Sequence, residues 1–158
     1  MGQKRRDKEK YPLSTEQNKA VVRRYFEGDR DGRDNVAVWD EVCDPNMVLF
    51  LSMLPQPLQG LEPIKQLAIT NHSAFSDFGI TVEDMVAEGD KVVGRITVRG
   101  TNTGSVMGMP PTGKQVTISG IFTRRLAGGR FVEGWDAPDT LSLMQQLGVI
   151  PTPQQGGS

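Results

Sequence analysis

One cysteine and one histidine stand in a chain of 158 residues. The single thiol, Cys43, excludes an intrachain disulfide. The single histidine, His72, excludes a histidine-rich or His–Cys metal site; a purely carboxylate site stays open by composition, but no EF-hand spacing appears, and no metal is expected. No apolar run approaches the roughly 18 residues that a membrane-spanning helix requires. Charge does not lean either way: 18 Lys and Arg stand against 19 Asp and Glu, for a net charge of −1. A protein so balanced offers nucleic acid no basic footprint. The exception is Met1–Lys10, where five of ten residues are basic. No apolar segment follows it, so it reads as a solvated tail, residues 1–13, and not as a secretion signal. Residues 151–158, rich in Pro, Gln and Gly, read as a second tail. Between them, 14–150 form one domain, expected to be soluble and cytoplasmic, with neither a nucleic-acid nor a membrane partner.

Ser14 and Gln17 resemble a capping box ahead of a helix over Thr15–Glu27, with Ala20, Val21, Tyr25 and Phe26 as its apolar stripe and Gly28 and Gly32 ending it. A shorter helix covers Asn35–Val42. Asp44-Pro45-Asn46 is a turn, and Met47–Met53 is an apolar run short enough for a buried strand. Leu61–Phe75 forms a third helix, with Pro63 in its first turn. Gly79–Glu88 and Lys91–Thr101 are strands joined at Gly89-Asp90. Thr103–Gly113 is a long loop, read as a flap that closes through Met107 and Met109. Val116–Arg125 and Arg130–Trp135 make a second hairpin around Ala127-Gly128-Gly129, and a last helix carries Leu141, Met144 and Leu147. Helices ahead of a run of antiparallel strands indicate an α+β fold with the helices on one face of a curved sheet. The strands carry apolar residues on both faces, which points to a homodimer through the outer one.

Two motifs are set aside. Gly108–Lys114 matches most of a phosphate-binding loop, but Gln115 brings no hydroxyl for magnesium. Pro110 and Pro111 remove backbone donors, and a strand follows instead of a helix. No serine nucleophile stands on a strand-to-helix elbow. His72, inside a helix, is either a polar surface residue or a general base. The acidic residues remain. Asp139 is accounted for as the cap of the last helix. Asp136, where the last strand stops, has two readings: a turn residue, or a carboxylate doing acid/base work in an apolar pocket.

Gly104…Gly108-Met109-Pro110-Pro111-Thr112, then Asp136-x-Pro138-Asp139 and Gln145-Gln146-Leu147-Gly148, resemble the SnoaL-like polyketide cyclases, or ester cyclases, of the NTF2-like superfamily. The resemblance spans roughly 17–148. It implies a cone-shaped barrel, with a curved, mostly antiparallel sheet packed against helices around an internal pocket. It also implies cofactor-free intramolecular aldol closure of a small apolar carbonyl or ester substrate, with Asp136 as general acid/base. A carboxylate in that role works best in an apolar surround, which Trp135, Phe122 and the loop methionines would supply. The substitution Asp136→Asn would then abolish activity and leave the melting temperature unchanged or raised. Where the family places polar pocket residues, this chain carries Leu49, Gly120 and Phe122. An epoxide hydrolase or isomerase on the same fold is the first alternative, with Arg95 or Arg99 as the partner of Asp136. A non-catalytic binding domain is the second.

Overall fold

A computed structural model describes residues 13–27 and 36–154. The basic tail, the helix stops Gly28 and Gly32, Asn35 and the last four residues lie outside that range. Among the described residues ten elements follow one another: α1 (Thr15–Phe26), α2 (Ala37–Val42), β1 (Cys43–Leu51), β2 (Leu58–Gln59), α3 (Leu61–Ala74), β3 (Phe75–Glu88), β4 (Lys91–Asn102), β5 (Gln115–Ala127), β6 (Arg130–Pro138) and α4 (Thr140–Gln146).

The capping box at the start of α1 forms. Gln17 N–H donates to Ser14 Oγ at 3.2 Å, and Ser14 N–H donates to Gln17 Oε1 at 2.9 Å. The buried stripe is not the expected one. Ala20 is exposed, and Asn18 and Val22 join Tyr25 and Phe26 on the inner face. A polar residue is tolerated there because Asn18 Nδ2 donates to Gly89 O in the β3–β4 turn. In α2, Trp39 is buried, stacks on Tyr25 at 5.0 Å and donates from Nε1 to the Tyr25 carbonyl.

The six strands form one open, curved sheet in the order β2-β1-β6-β5-β4-β3. Neighbours are antiparallel except β1 and β6, which run parallel. The sheet curves around the helices as expected and does not close on itself. Two strands begin earlier than the sequence suggests. Asp44-Pro45-Asn46 does make its turn, Asn46 N–H donating to Asp44 Oδ1 at 2.8 Å, but as an irregularity inside β1. The register against β6 jumps between Cys43 and Val48 and then resumes. β3 likewise starts at Phe75, directly from α3, and carries a break between Ser76 and Gly79 where Asp77 takes φ 56°. Asp tolerates that left-handed conformation better than most residues. The β5–β6 turn needs no such concession, since Gly128 (φ 59°) and Gly129 (φ 79°) supply the two positive angles of a tight hairpin.

β5 alternates without interruption: Val116, Ile118, Gly120, Phe122, Arg124 and Leu126 are buried and the residues between them are not. Its inner face meets α1 to α3 in the main core, with Val22, Trp39, Met47, Leu49 and Phe131. Beyond Pro138, β6 no longer covers β5. Gln146 from α4 takes over, accepting from Thr117 N–H at 2.9 Å and donating to Thr117 O at 2.8 Å. A primary amide carries one acceptor and donors, so it can stand in for one rung of a ladder.

Candidate active site

The last strand runs three residues past Trp135. Asp136 is therefore inside β6 and not at its end, opposite Phe122 of β5 and beside Leu51 of β1. A strand alternates faces, so Trp135 and Asp136 point opposite ways. Asp136 faces the helices. Trp135 lies on the outer face, stacked on Phe50 with ring centres 5.5 Å apart.

Asp136 does not stand alone. Arg124, two residues along β5 from Phe122 and on the same face, reaches across Gly134 to it. Arg124 Nη1 donates to Asp136 Oδ1 at 2.5 Å and Nη2 donates to Oδ2 at 3.2 Å. Gly134 is the residue opposite Arg124 in the ladder. A Cβ there would stand 2.9 Å from Arg124 Nη1 and 3.1 Å from its Cδ, so the missing side chain is the channel through which the guanidinium passes. The arginine side chain is 1% exposed and the aspartate 21%.

Burial alone would lower the pKa of the guanidinium, but the charge of Asp136 and the interaction with Tyr25 outweigh it and hold the group above its ordinary range. Arg124 thus stays cationic at any working pH. The rings of Tyr25, Phe122, Phe26 and Phe131 surround it, 5.0 to 5.8 Å from the guanidinium carbon, a cation–π environment. Its Nε–H has no hydrogen-bond partner among the described residues. The pair forms the polar end of a cavity of about 180 Å³ whose other walls are mostly apolar, among them Leu51, Ile64, Phe78, Ile96 and Ile118. An apolar cavity of about 150 Å³ admits a benzene ring, so this one takes a ring-sized apolar fragment. Met53, in the wall yet 48% exposed, marks the mouth at the loop between β1 and β2.

Of the residues singled out from the sequence, Asp136, Leu49 and Arg99 line this cavity. Gly120 and Phe122 face the same interior but lie behind its wall. Phe122 is fully buried, with its ring 4.7 Å from that of Phe26. A Cβ on Gly120 would meet Ile96 at 3.1 Å. The others are elsewhere. Trp135 is on the outer face. Arg95 is there too, held by Asp84 at 3.0 Å. Asp139 caps α4, accepting from Ser142 N–H. His72 sits edge-on to Phe78 at 4.9 Å, outside the wall. Met107 is 65% exposed with φ 48°, and Met109 pairs with Val106. Neither methionine reaches the cavity, because buried Asn102 ties both ends of their loop: it donates to Ala74 O and Gly104 O and accepts from Thr112 N–H. The partner of Asp136 is therefore neither Arg95 nor Arg99. Sequence reasoning missed Arg124; the one signal that could have found it is its parity with Phe122 and Leu126 on an otherwise alternating strand. Cys43 contributes no chemistry, since burial pushes its thiol up to about 12 and keeps it protonated.

The family model for SnoaL-like polyketide cyclases matches residues 15–147. No match was found among curated proteins. Among solved structures, a proposed SnoaL-like polyketide cyclase from Jannaschia sp. CCS1 shares 26% identity. It covers 89% of this chain and 99% of its own, with a TM-score of 0.79. AclR, a proposed hydroxylase from Streptomyces galilaeus, also shares 26%, covering 90% and 87% at a TM-score of 0.78. An LEH-like epoxide hydrolase from M. tuberculosis, 13% identical over 84% of this chain and 90% of its own at a TM-score of 0.65, shares the fold alone.

Proposed function

Because this chain belongs to the SnoaL-like polyketide cyclase family, we propose that it closes a ring in an apolar carbonyl or ester substrate, with Asp136 as the acid/base group. The observation that carries this reading is the placement of Asp136. Among the described residues it is the one carboxylate in the wall of a mostly apolar cavity, and a buried arginine holds it. In the forward step the carboxylate takes a proton from carbon next to a carbonyl. The electron pair left behind forms an enolate, which attacks a second carbonyl of the same molecule and makes the new carbon–carbon bond. The proton on Asp136 then goes to the alkoxide produced. Arg124 fixes the orientation of the carboxylate and, remaining cationic throughout, takes no proton itself. Enclosing both reacting carbons in one cavity supplies the proximity term.

The reading is tested by Asp136→Asn in a protein whose fold is checked by circular dichroism. General acid–base groups contribute about 10²- to 10⁴-fold, and a loss of that size in kcat is expected. Near-full activity would overturn the role.

The arginine beside Asp136 also favours a second reading, epoxide opening, in which a carboxylate and an arginine act together. Against it, the cavity wall offers one carboxylate among the described residues where such enzymes use two. An assay with a simple cyclic epoxide separates the readings, since ring closure of a diketone and epoxide hydrolysis share no product.

We further propose that the protein pairs with a second copy through the outer face of the sheet. The register places Phe50, Trp135, Thr123, Val93 and Val86 in one row across five strands. Four of the five are apolar and more than a third exposed, Val86 at 69%. The ion pairs Arg95–Asp84 and Arg125–Glu133 flank the row.

A further inference from the structure

The inner stripe of α3 reads Leu61, Ile64, Ala68, Asn71 at helical spacing and continues into Phe75, the first residue of β3. All five positions belong to a face that is otherwise apolar, and Asn71 is its one polar member. Ile64, Ala68, Asn71 and Phe75 line the cavity. Asn71 is half-buried, and its side-chain amide has no hydrogen-bond partner among the described residues. The cases of buried polarity elsewhere differ. Asn18 is bonded to Gly89 O, and Asn102 makes four hydrogen bonds, to Ala74, Gly104 and Thr112. Because Asn71 stands in the cavity wall and is only half-buried, its amide is open to a ligand seated there.

The position of Asn71 relative to Asp136 is informative. Asn71 lies one helical turn before Phe75, which opens β3 opposite Asn102. The neighbouring pair Thr101–Gln115 begins β5, whereas Asp136 lies opposite Phe122, further along that strand. The end of α3 and the middle of β5 are thus set apart along the strand direction, and Arg99, opposite Thr117, is the further polar residue of the wall.

We infer that Asn71 is a specificity-determining residue: its amide hydrogen-bonds a second oxygen of the substrate, a carbonyl, while the reacting carbon lies at Asp136. The ligand class is an apolar compound with two separated oxygen functions. The inference rests on the reading of this cavity as a substrate site. Asn71 orients the ligand and takes no part in proton transfer.

The test is a binding one, so that it stands apart from catalysis. The probes are acetophenone and its hydrocarbon isostere isopropylbenzene, titrated against the full chain. Trp39 lies in the cavity wall and reports binding by fluorescence. The wild type is expected to prefer the ketone. Asn71→Leu should weaken ketone binding by about fivefold to tenfold, the worth of one neutral hydrogen bond, with hydrocarbon binding unchanged or tighter. Asn71→Asp, which keeps the shape and removes the donor, should also lose the preference, and it covers the case in which the leucine variant does not fold. Asp136→Asn should keep it. A ketone-to-hydrocarbon ratio equal in wild type and both Asn71 variants would overturn the assignment. So would a ratio lost in Asp136→Asn, which would place the ketone oxygen at the ion pair, or no binding of either probe to the wild type. Loss of turnover in Asp136→Asn with the ratio intact would support both roles, and full turnover with the ratio intact would remove the base and leave Asn71 in place.

Discussion

Arg124 grips Asp136 with both terminal nitrogens, and it does so across the bare backbone of Gly134. One partner is sealed in the core and the other looks into the cavity. The carboxylate that would do the chemistry is also the counter-charge on which a buried cation depends, so function and stability meet in one side chain.

Asp136→Asn is therefore expected to lower the melting temperature, contrary to what an aspartate alone in an apolar pocket would do. Breaking a buried pair by removing one partner costs about 3–5 kcal/mol. The substituted amide would still accept one hydrogen bond, and the site is partly exposed, so about 2–4 kcal/mol is expected. Urea denaturation measures it. The double variant Arg124→Met with Asp136→Asn should recover most of the loss, because the unpaired charge leaves together with its partner. A melting temperature unmoved by Asp136→Asn would show that the pair contributes little.

Gly134→Ala should damage the same pair from the opposite side. On an ordinary strand, alanine in place of glycine stabilises. Here the new methyl group meets Arg124 at 2.9 Å and Leu49 Cδ1 at 3.1 Å. Overpacking of this kind costs about 1–3 kcal/mol, and kcat should fall with it as the carboxylate loses its orientation. A variant as stable and as active as wild type would refute the account of why glycine stands there.

Cys43 gives a pH dependence with a definite sign. Burial raises its thiol from 9.0 to about 12. The unfolded chain therefore releases a proton from about pH 9, which the folded protein keeps. The stability associated with this group is complete below about pH 9 and is lost as pH rises toward about 12, at no more than about 1.4 kcal/mol per pH unit. Urea midpoints measured across that rise, beginning on its neutral side, should fall in wild type and fall less in Cys43→Ala. Iodoacetamide at mildly alkaline pH should label the thiol only after unfolding. Ready labelling of the folded protein would contradict the burial.

The outer row of the sheet predicts a dimer at micromolar concentration in sedimentation. Trp135→Lys, on the face away from Asp136, should give a monomer whose folded core is intact by circular dichroism. A wild-type monomer under those conditions would remove the interface.

The division between sequence and tertiary structure is clearest in β5 and β6. Periodicity and turn chemistry decide local matters: the capping box at Ser14, the Gly-Gly hairpin, the α+β class and the Asp139 cap all follow from neighbours in the chain. The family resemblance, carried by short motifs near the end of the chain, was readable too, and Gln146 in one of them proves to complete the ladder of β5. The partner of Asp136 was not readable in the same way. Arginine on a strand reads as a solvent-facing residue, and Arg95 and Arg99 offered the same letters. Only the β5–β6 register sets Arg124 opposite Gly134 and one step from Asp136, and only the helices packed on that face remove the guanidinium from water. The two early strand starts were hidden for a related reason: Asp-Pro-Asn and Ser-Asp do form local kinks, but the ladder resumes beyond each one. The loop methionines were misplaced because composition does not say where a loop is anchored. That was decided by buried Asn102, which joins residues distant in the chain.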